Sequence, residues 1–240
     1  MEVLIFDIYG DYAHFKKFYT TSSPLTFSFP PPPTVKGILG AISGVDKSKY
    51  LDTFSSEQCY IAIRIISPVE KTRMGINLIN TKGNFWQPVK RGSHEARTQI
   101  RTEFLKHPAY RVYFMHKDQN LMKDLKNMLQ FHKTVYTVSL GLSELLADFK
   151  YSGPFSVDVV DSTDNPTDIT TIIPLSLIDK NGITFEEGKK YFKERIPVDM
   201  TQDRVVKRYE NALMEISGKS IKAKLKKYWQ TENGECITFF

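Results

Sequence analysis

The chain carries only two cysteines in 240 residues, Cys59 and Cys236, which stand 177 positions apart and form no CxxC pair. That excludes a disulfide-stapled scaffold and a thiolate zinc site, and it fits a reducing cytoplasm. Long apolar runs are lacking too. No window approaches 18 uninterrupted apolar residues, and the opening MEVLIFDIYG has an acidic second residue and no extended apolar stretch, so neither a membrane span nor a signal peptide is expected. Catalytic motifs are equally scarce. No histidine pair has HExxH spacing, and His94, His107 and His116 fall 13 and 9 apart with no acidic partner motif. Gly218-Lys219-Ser220 ends like a phosphate-binding loop, but Leu213 stands where that loop requires glycine. Asp158, Asp161, Asp164 and Asp168 lack the spacing and the closing glutamate of a calcium loop. No metal and no cofactor are therefore expected.

What is present is an ordinary globular composition, 41% apolar and 25% charged, enough for one large domain or two small ones. The net charge is only +6, yet it is unevenly placed. Between Arg64 and Lys117 there are 11 basic and 3 acidic residues, a surplus of +8, so the other 186 residues sum to −2. A polyanion-binding surface and a solvated basic loop both account for such an island.

Val3 to Tyr9 reads as a first strand. A proline run, Pro30 to Pro33, must be extended and leads into a short helix with Thr34 as its expected N-cap. Val35, Ile38, Leu39 and Ile42 define one face of that helix, and Gly44 is suited to end it. The opposite face carries Gly37, Gly40, Ala41 and Gly44. Glycine costs a helix about 1 kcal/mol relative to alanine, so this face implies close approach of another backbone, protein or nucleic acid, or tight packing between layers of the same fold. Tyr60 to Ser67 is a second strand, and alternation across Lys71 to Pro108 predicts an extended hairpin whose loop carries Gly83, Trp86, Pro88 and Gly92. Tyr110 to His116 follows as a strand, Leu121 to His132 as an amphipathic helix, and Thr134 to Leu140 as a strand ending at Gly141. Without the hairpin, the order is strand, helix, strand, strand, helix, strand, which is ferredoxin-like or RRM-like. From Phe155 onward the chain is strand-rich, with turns expected at Asp164-Asn165-Pro166, Asn181-Gly182, Ser217-Gly218 and Asn233-Gly234. Lys222, Lys224 and Lys226 alternate with apolar residues as on a protected edge strand.

For nucleic-acid binding, the RNP1 string of RRM domains is missing; Ala109 to Lys117 only interleaves aromatic with basic groups. Arg97, Gln99 and Arg101 alternate along the hairpin and could follow phosphates, and free backbone N–H groups near Gly141 and Ser143, where a strand is expected to enter a short helix, could hold one.

Phe29 to Gly44 (FPPPPTVKGILGAISG) resembles the N-terminal signature of the CRISPR-associated five-prime-handle subunit of type I surveillance complexes, most closely the type I-B branch. Thr98 to Tyr113 (TQIRTEFLKHPAYRVY) and Thr134 to Asp148 (TVYTVSLGLSELLAD) agree with it in order. The resemblance implies an α+β RAMP fold: an RRM-like domain over residues 1–150 with a β-hairpin thumb inserted at about 71–107, then a smaller β-rich part over 151–240. It implies a cytoplasmic subunit of Cascade that grips the 5′ handle of the guide crRNA, caps the backbone subunits, contacts the large subunit and meets target DNA through the assembled complex. Thr34, Lys36 and Gly37 would line the handle groove, Ser139, Gly141 and Ser143 would form a glycine-loop contact, and Arg73, Trp86, Lys90, Arg91, Arg97, Gln99 and Arg101 would serve the thumb. No catalysis is expected. The alternative is a metal-independent endoribonuclease of precursor crRNA, for which Tyr50, His116 and Lys117 are the available set, although adjacent residues on a strand point to opposite faces.

Overall fold

The computed structural model describes residues 1–20, 23–79, 97–161 and 165–240. Strand β1 (Glu2–Tyr9) and the short β2 (Tyr12–Ala13) lead through the proline run to helix α1 (Pro32–Ser43). A single-turn helix α2 (Tyr50–Thr53) precedes β3 (Cys59–Ile65), the hairpin strands β4 (Glu70–Ile79) and β5 (Arg97–Lys106), then β6 (Ala109–His116), helix α3 (Gln119–Gln130) and the long β7 (Asp148–Asp161). The four body strands lie in the order β7-β1-β6-β3, and each neighbouring pair is antiparallel. This is the ferredoxin-like arrangement, with the β4–β5 hairpin inserted before its third strand as the alternation predicts. The hairpin belongs to a separate three-stranded sheet, β2-β5-β4.

Helix α1 begins ahead of Thr34. The residue at its N-cap is Pro31 and the helix starts at Pro32, because a proline ring presets the helical φ and lacks an N–H that would go unsatisfied in the first turn. Gly44 ends the helix in the left-handed region, with φ of 79°. Helix α3 is capped by Asp118, whose carboxylate accepts the Asn120 and Leu121 amides.

The expected strand over Thr134 to Leu140 does not form, and the fourth body strand is β7. The Val135 and Tyr136 amides donate instead to the Ala41 and Ile42 carbonyls at the end of α1, so the segment satisfies a helix terminus rather than a ladder. One isolated bridge, Ser139 to Leu146, is all that remains of the pairing. The expected short helix after Gly141 is likewise a turn, closed by the Leu145 amide on the Leu142 carbonyl.

After β7 come β8 (Thr167–Ile169), β9 (Ile173–Pro174), β10 (Ile178–Thr184), β11 (Tyr191–Met200), β12 (Val206–Glu215), β13 (Ile221–Leu225), β14 (Lys227–Thr231) and β15 (Cys236–Ile237). One nine-stranded sheet runs β10-β13-β8-β15-β14-β7-β1-β6-β3, and β11, β12 and β9 form another. The boundary expected near residue 150 falls within β7, which pairs with β1 on one side and with β14 on the other. Strand β13 pairs with both β10 and β8, so its lysines are not on an edge. Asn181-Gly182 is an irregularity inside β10 rather than a turn, whereas Ser217-Gly218 and Asn233-Gly234 do lie between strands.

The main core forms between one face of the body sheet and the two longer helices. Leu4, Phe6, Ile8, Ile61, Ile63, Val112 and Phe114 meet Val35, Ile38, Leu39 and Ile42 of α1 and Met122, Leu125 and Leu129 of α3. Each fully buried aliphatic or aromatic side chain contributes about 1.5–3 kcal/mol. The other face of the sheet, which an RRM would present to RNA, is closed. Val3, Ile5, Ala62, Tyr113 and Met115 pack against Trp229, Ile237 and Phe239 from the C-terminal strands.

Candidate nucleic-acid interface

With the sheet face covered, a concavity lies elsewhere, beside α1. It is a cleft of about 760 Å³ bounded by the glycine side of α1, by residues 14–16, by the loop after α3 and by the end of β11. Thr34, Gly37, Ser139 and Gly141 line it together, although they come from blocks about 100 residues apart in the chain. Ser143 lies close by in sequence but does not line the cleft.

Gly141 is required by its neighbours. Its φ is 105°, and a Cβ added there would lie 2.0 Å from the His14 carbonyl oxygen. The loop is thereby held against residues 14–15, where the His14 amide donates to the Leu140 carbonyl at 3.0 Å. On α1 the small face is used in two ways. A Cβ on Gly40 would come within 3.2 Å of the Tyr50 Cβ, so this glycine admits α2. A Cβ on Gly37 would meet only the edge of the Tyr50 ring at 3.7 Å, so Gly37 leaves the cleft floor low. Both sources of the glycine pattern, packing within the fold and an open approach path, thus occur on one helix.

Lys36 is a correction. It is 1% exposed, does not line the cleft, and donates to Asp199 of β11 at 2.7 Å. Ser56 donates to the other Asp199 oxygen at 3.0 Å. Burial works to raise the Asp199 carboxyl, but Lys36, Ser56 and the Met200 amide outweigh it and hold the pKa below its ordinary value. Lys36 therefore anchors α1 to the C-terminal sheet. The basic groups that do reach the cleft are Lys16, Lys47 and Arg204, all exposed. No carboxylate of the described residues lies within ion-pair distance of them. The one carboxylate in the lining, Asp46, accepts instead from the Ser48 amide at 2.8 Å. Tyr50 and the exposed Tyr136 add aromatic surface. Nothing local in the sequence marks Lys16, Lys47, Tyr136 and Arg204 as site residues; only the cleft does.

On the thumb, Gln99 and Arg101 are exposed, and β5 pairs with β4 so that Arg101 stands opposite Gly75 and Glu103 opposite Arg73. Arg73 approaches Glu103 at 3.8 Å and remains largely exposed, while Arg101 has no ion pair with a described residue. The Arg97 backbone closes the ladder opposite Ile79. Trp86, Lys90 and Arg91 lie outside the described residues. The basic island is also divided. Arg64 and Arg111 sit on the body sheet, where Glu235 accepts Arg64 at 2.5 Å and Asp7 accepts Arg111 at 2.7 Å.

Tyr50, His116 and Lys117 do not share a site. Tyr50 lines the cleft and the other two do not. His116 is buried, its Nε2 donating to the Thr53 carbonyl at 2.9 Å and its Nδ1 accepting the Asp118 amide at 2.9 Å, which occupies both ring nitrogens. The histidine at the cleft is His14, and burial pushes its pKa down despite a 2.7 Å bond from Nδ1 to the Glu103 carbonyl. It is a buried strut between the body and the thumb root.

The molecule is thus a ferredoxin-like α+β body with an inserted hairpin, its sheet face closed and a basic cleft beside a glycine-faced helix. The family model for CRISPR-associated protein (Cas_Cas5) matches residues 3–214, and the chain belongs to that family. Among solved structures, a CRISPR protein from Archaeoglobus fulgidus is similar with a TM-score of 0.56 at 16% identity, over 99% of this chain and 98% of that one. A chain of a CRISPR RNA-guided surveillance complex is similar with a TM-score of 0.54 at 10% identity, over 92% and 91%. At these identities the likeness speaks to the fold. A sequence search of curated proteins finds no significant match. Among the described residues, no helix is long and apolar enough to cross a membrane, and no cluster of His, Cys, Asp or Glu could hold a metal ion.

Proposed function

We propose that this chain is the non-catalytic subunit of a type I-B-like Cascade that holds the 5′ handle of the guide RNA in the cleft beside α1 and caps the backbone filament with its thumb. The observation that carries this reading is the convergence of Thr34, Gly37, Ser139 and Gly141 on one cleft rimmed by Lys16, Lys47 and Arg204, which have no ion pair among the described residues. A low glycine floor lets a sugar-phosphate backbone approach closely, the three cations neutralise phosphates, and Tyr50 and Tyr136 offer faces for bases. In this reading, the assembled complex leaves target selection to guide pairing, and the backbone and large subunits are the protein partners. Binding without cleavage is favoured by His116, whose ring nitrogens are both committed to the fold.

The test is co-purification with the neighbouring subunits, measurement of the 260/280 nm absorbance ratio, and sequencing of the RNA carried along. Repeat-derived guide RNA is expected. Its absence overturns the reading. Replacing Lys47 and Arg204 by Glu is expected to abolish RNA retention while leaving thermal stability unchanged.

A further inference from the structure

A second concavity lies on the other side of residues 14–19. It measures about 550 Å³, between the root of the thumb and β11, and its walls include Lys17, Tyr19, Lys71, Phe192, Lys193 and Arg195. His14, Phe15 and Lys16 face the first cleft while Lys17 and Tyr19 face this one, so the two share a thin wall. We propose that this second cleft takes an unpaired stretch of the same RNA strand, stacked on Tyr19 and Phe192, as the strand passes from the handle groove toward the thumb. The inference rests on the handle-binding reading.

Three features support that occupant. First, Tyr19 and Phe192 are large aromatics left 60% and 53% exposed at a concave site. Tyr19 is held edge-on by Phe18 at 5.1 Å, and Phe18 is braced in turn by Tyr209 at 5.1 Å, so the platform is set in place before any ligand arrives. Second, the one carboxylate among the lining residues is already neutralised. Glu194 accepts Lys17 at 2.8 Å and the Ser28 amide at 3.0 Å. That leaves Lys193 and Arg195 exposed and without an ion pair among the described residues, with Arg195 lying 4.5 Å over the Tyr209 ring. Third, the positive surface continues onto the thumb. Lys71 and Arg73 share one face of β4 and approach Glu103 of β5 at 3.4 and 3.8 Å, and Arg101, opposite Gly75, extends the face along β5 with no ion pair among the described residues. Exposed aromatic faces interleaved with available cations are what a single strand of nucleic acid recognises: every base has a π-face to stack, and the cations follow the phosphates. An acidic protein partner would answer the cations but leave the two aromatic faces without stacking partners.

The experiment uses the full-length protein and two fluorescent RNAs. One ends at the 3′ boundary of the repeat-derived handle, and the other continues it by roughly eight uridines, within the footprint of single-stranded sites. Wild-type protein is expected to bind the longer RNA about ten-fold more tightly, the scale of one stacked base. Tyr19→Ala with Phe192→Ala should lose that gain and keep the short-RNA affinity, which also shows the variant is folded. Lys193→Ala with Arg195→Ala should flatten the salt dependence for the longer RNA by about 0.7 per phosphate no longer neutralised and leave the shorter one unchanged. No gain from the uridines in wild type, or a gain that survives in both variants, overturns the proposal while the handle reading stands. If the short RNA fails to bind, the handle reading falls and this inference falls with it.

Discussion

Cations that tie the body together and those that rim the cleft look alike in the sequence and behave oppositely in the fold. Arg64, Arg111 and Lys36 each meet a carboxylate supplied from a distant part of the chain, and Lys36 is buried with its partner. Lys16, Lys47, Arg204 and Arg101 meet none among the described residues. The first set closes the protein upon itself; the second is the set to which the proposed handle binding assigns the phosphates. The difference teaches that a basic island in a sequence is not a surface. Of its residues, Arg64 and Arg111 in the body strands serve the fold, and the cations that line the cleft, Lys16, Lys47 and Arg204, come from outside the island.

The sharpest way to break this comparison is to remove a structural partner. Asp199→Ala should destabilise the protein by about 3–5 kcal/mol, since it leaves Lys36 buried and uncompensated, and a urea titration would show it. Replacing both partners, Lys36→Met with Asp199→Leu, should recover much of that loss. The pair also sets a pH dependence. Because the folded Asp199 carboxyl is depressed, its stabilisation is present above the ordinary carboxylate range and is lost as pH falls through the folded value. The cost of Asp199→Ala should therefore shrink below pH of about 4. An unchanged cost at still lower pH would assign the stabilisation to packing.

Next in size is a contrast within α1. Gly40→Leu should cost about 1–3 kcal/mol by overpacking against Tyr50, read as a lowered Tm. Gly37→Leu, one turn earlier on the open side, should leave Tm nearly unchanged and block handle RNA. If both variants lose stability alike, the cleft floor is merely core. The exposed thumb cations should behave differently again. Arg73→Ala with Arg101→Ala should keep stability within about 0.5 kcal/mol and reduce the slope of log K against log salt by about 0.7 for each phosphate left without its arginine. Preference for handle over unrelated RNA should persist, because phosphate contacts carry no base information. The smallest expected effect is on chemistry: repeat RNA incubated with the pure protein in EDTA should stay intact. A single cut leaving a 2′,3′-cyclic phosphate would make the protein an endoribonuclease and direct attention to the cleft's own Tyr50 and His14 rather than to His116.

Local patterns determined a good deal by themselves. The buried stripe Val35, Ile38, Leu39 and Ile42, the helix stop at Gly44, the hairpin alternation on either side of the thumb and the first three body strands follow from periods of 3.6 and 2 and from turn chemistry, which neighbouring residues set. The fourth body strand, in contrast, is β7 and not the segment the pattern offered. The glycine-faced helix and the glycine loop enter as candidate RNA contacts through the family resemblance of their two sequence blocks, not through periodicity. Tertiary structure alone decided the rest. Thr134 to Leu140 has a strand-like sequence, yet its amides went to the end of α1, because that terminus offered carbonyls the helix could not satisfy. Lys36 has the sequence of a surface residue on a short helix, and its fate was settled by Asp199, 163 positions away. Whether a lysine is a structural ion or a ligand contact depends on which distant carboxylate the fold brings within hydrogen-bond reach, and no local pattern of residues contains that distance.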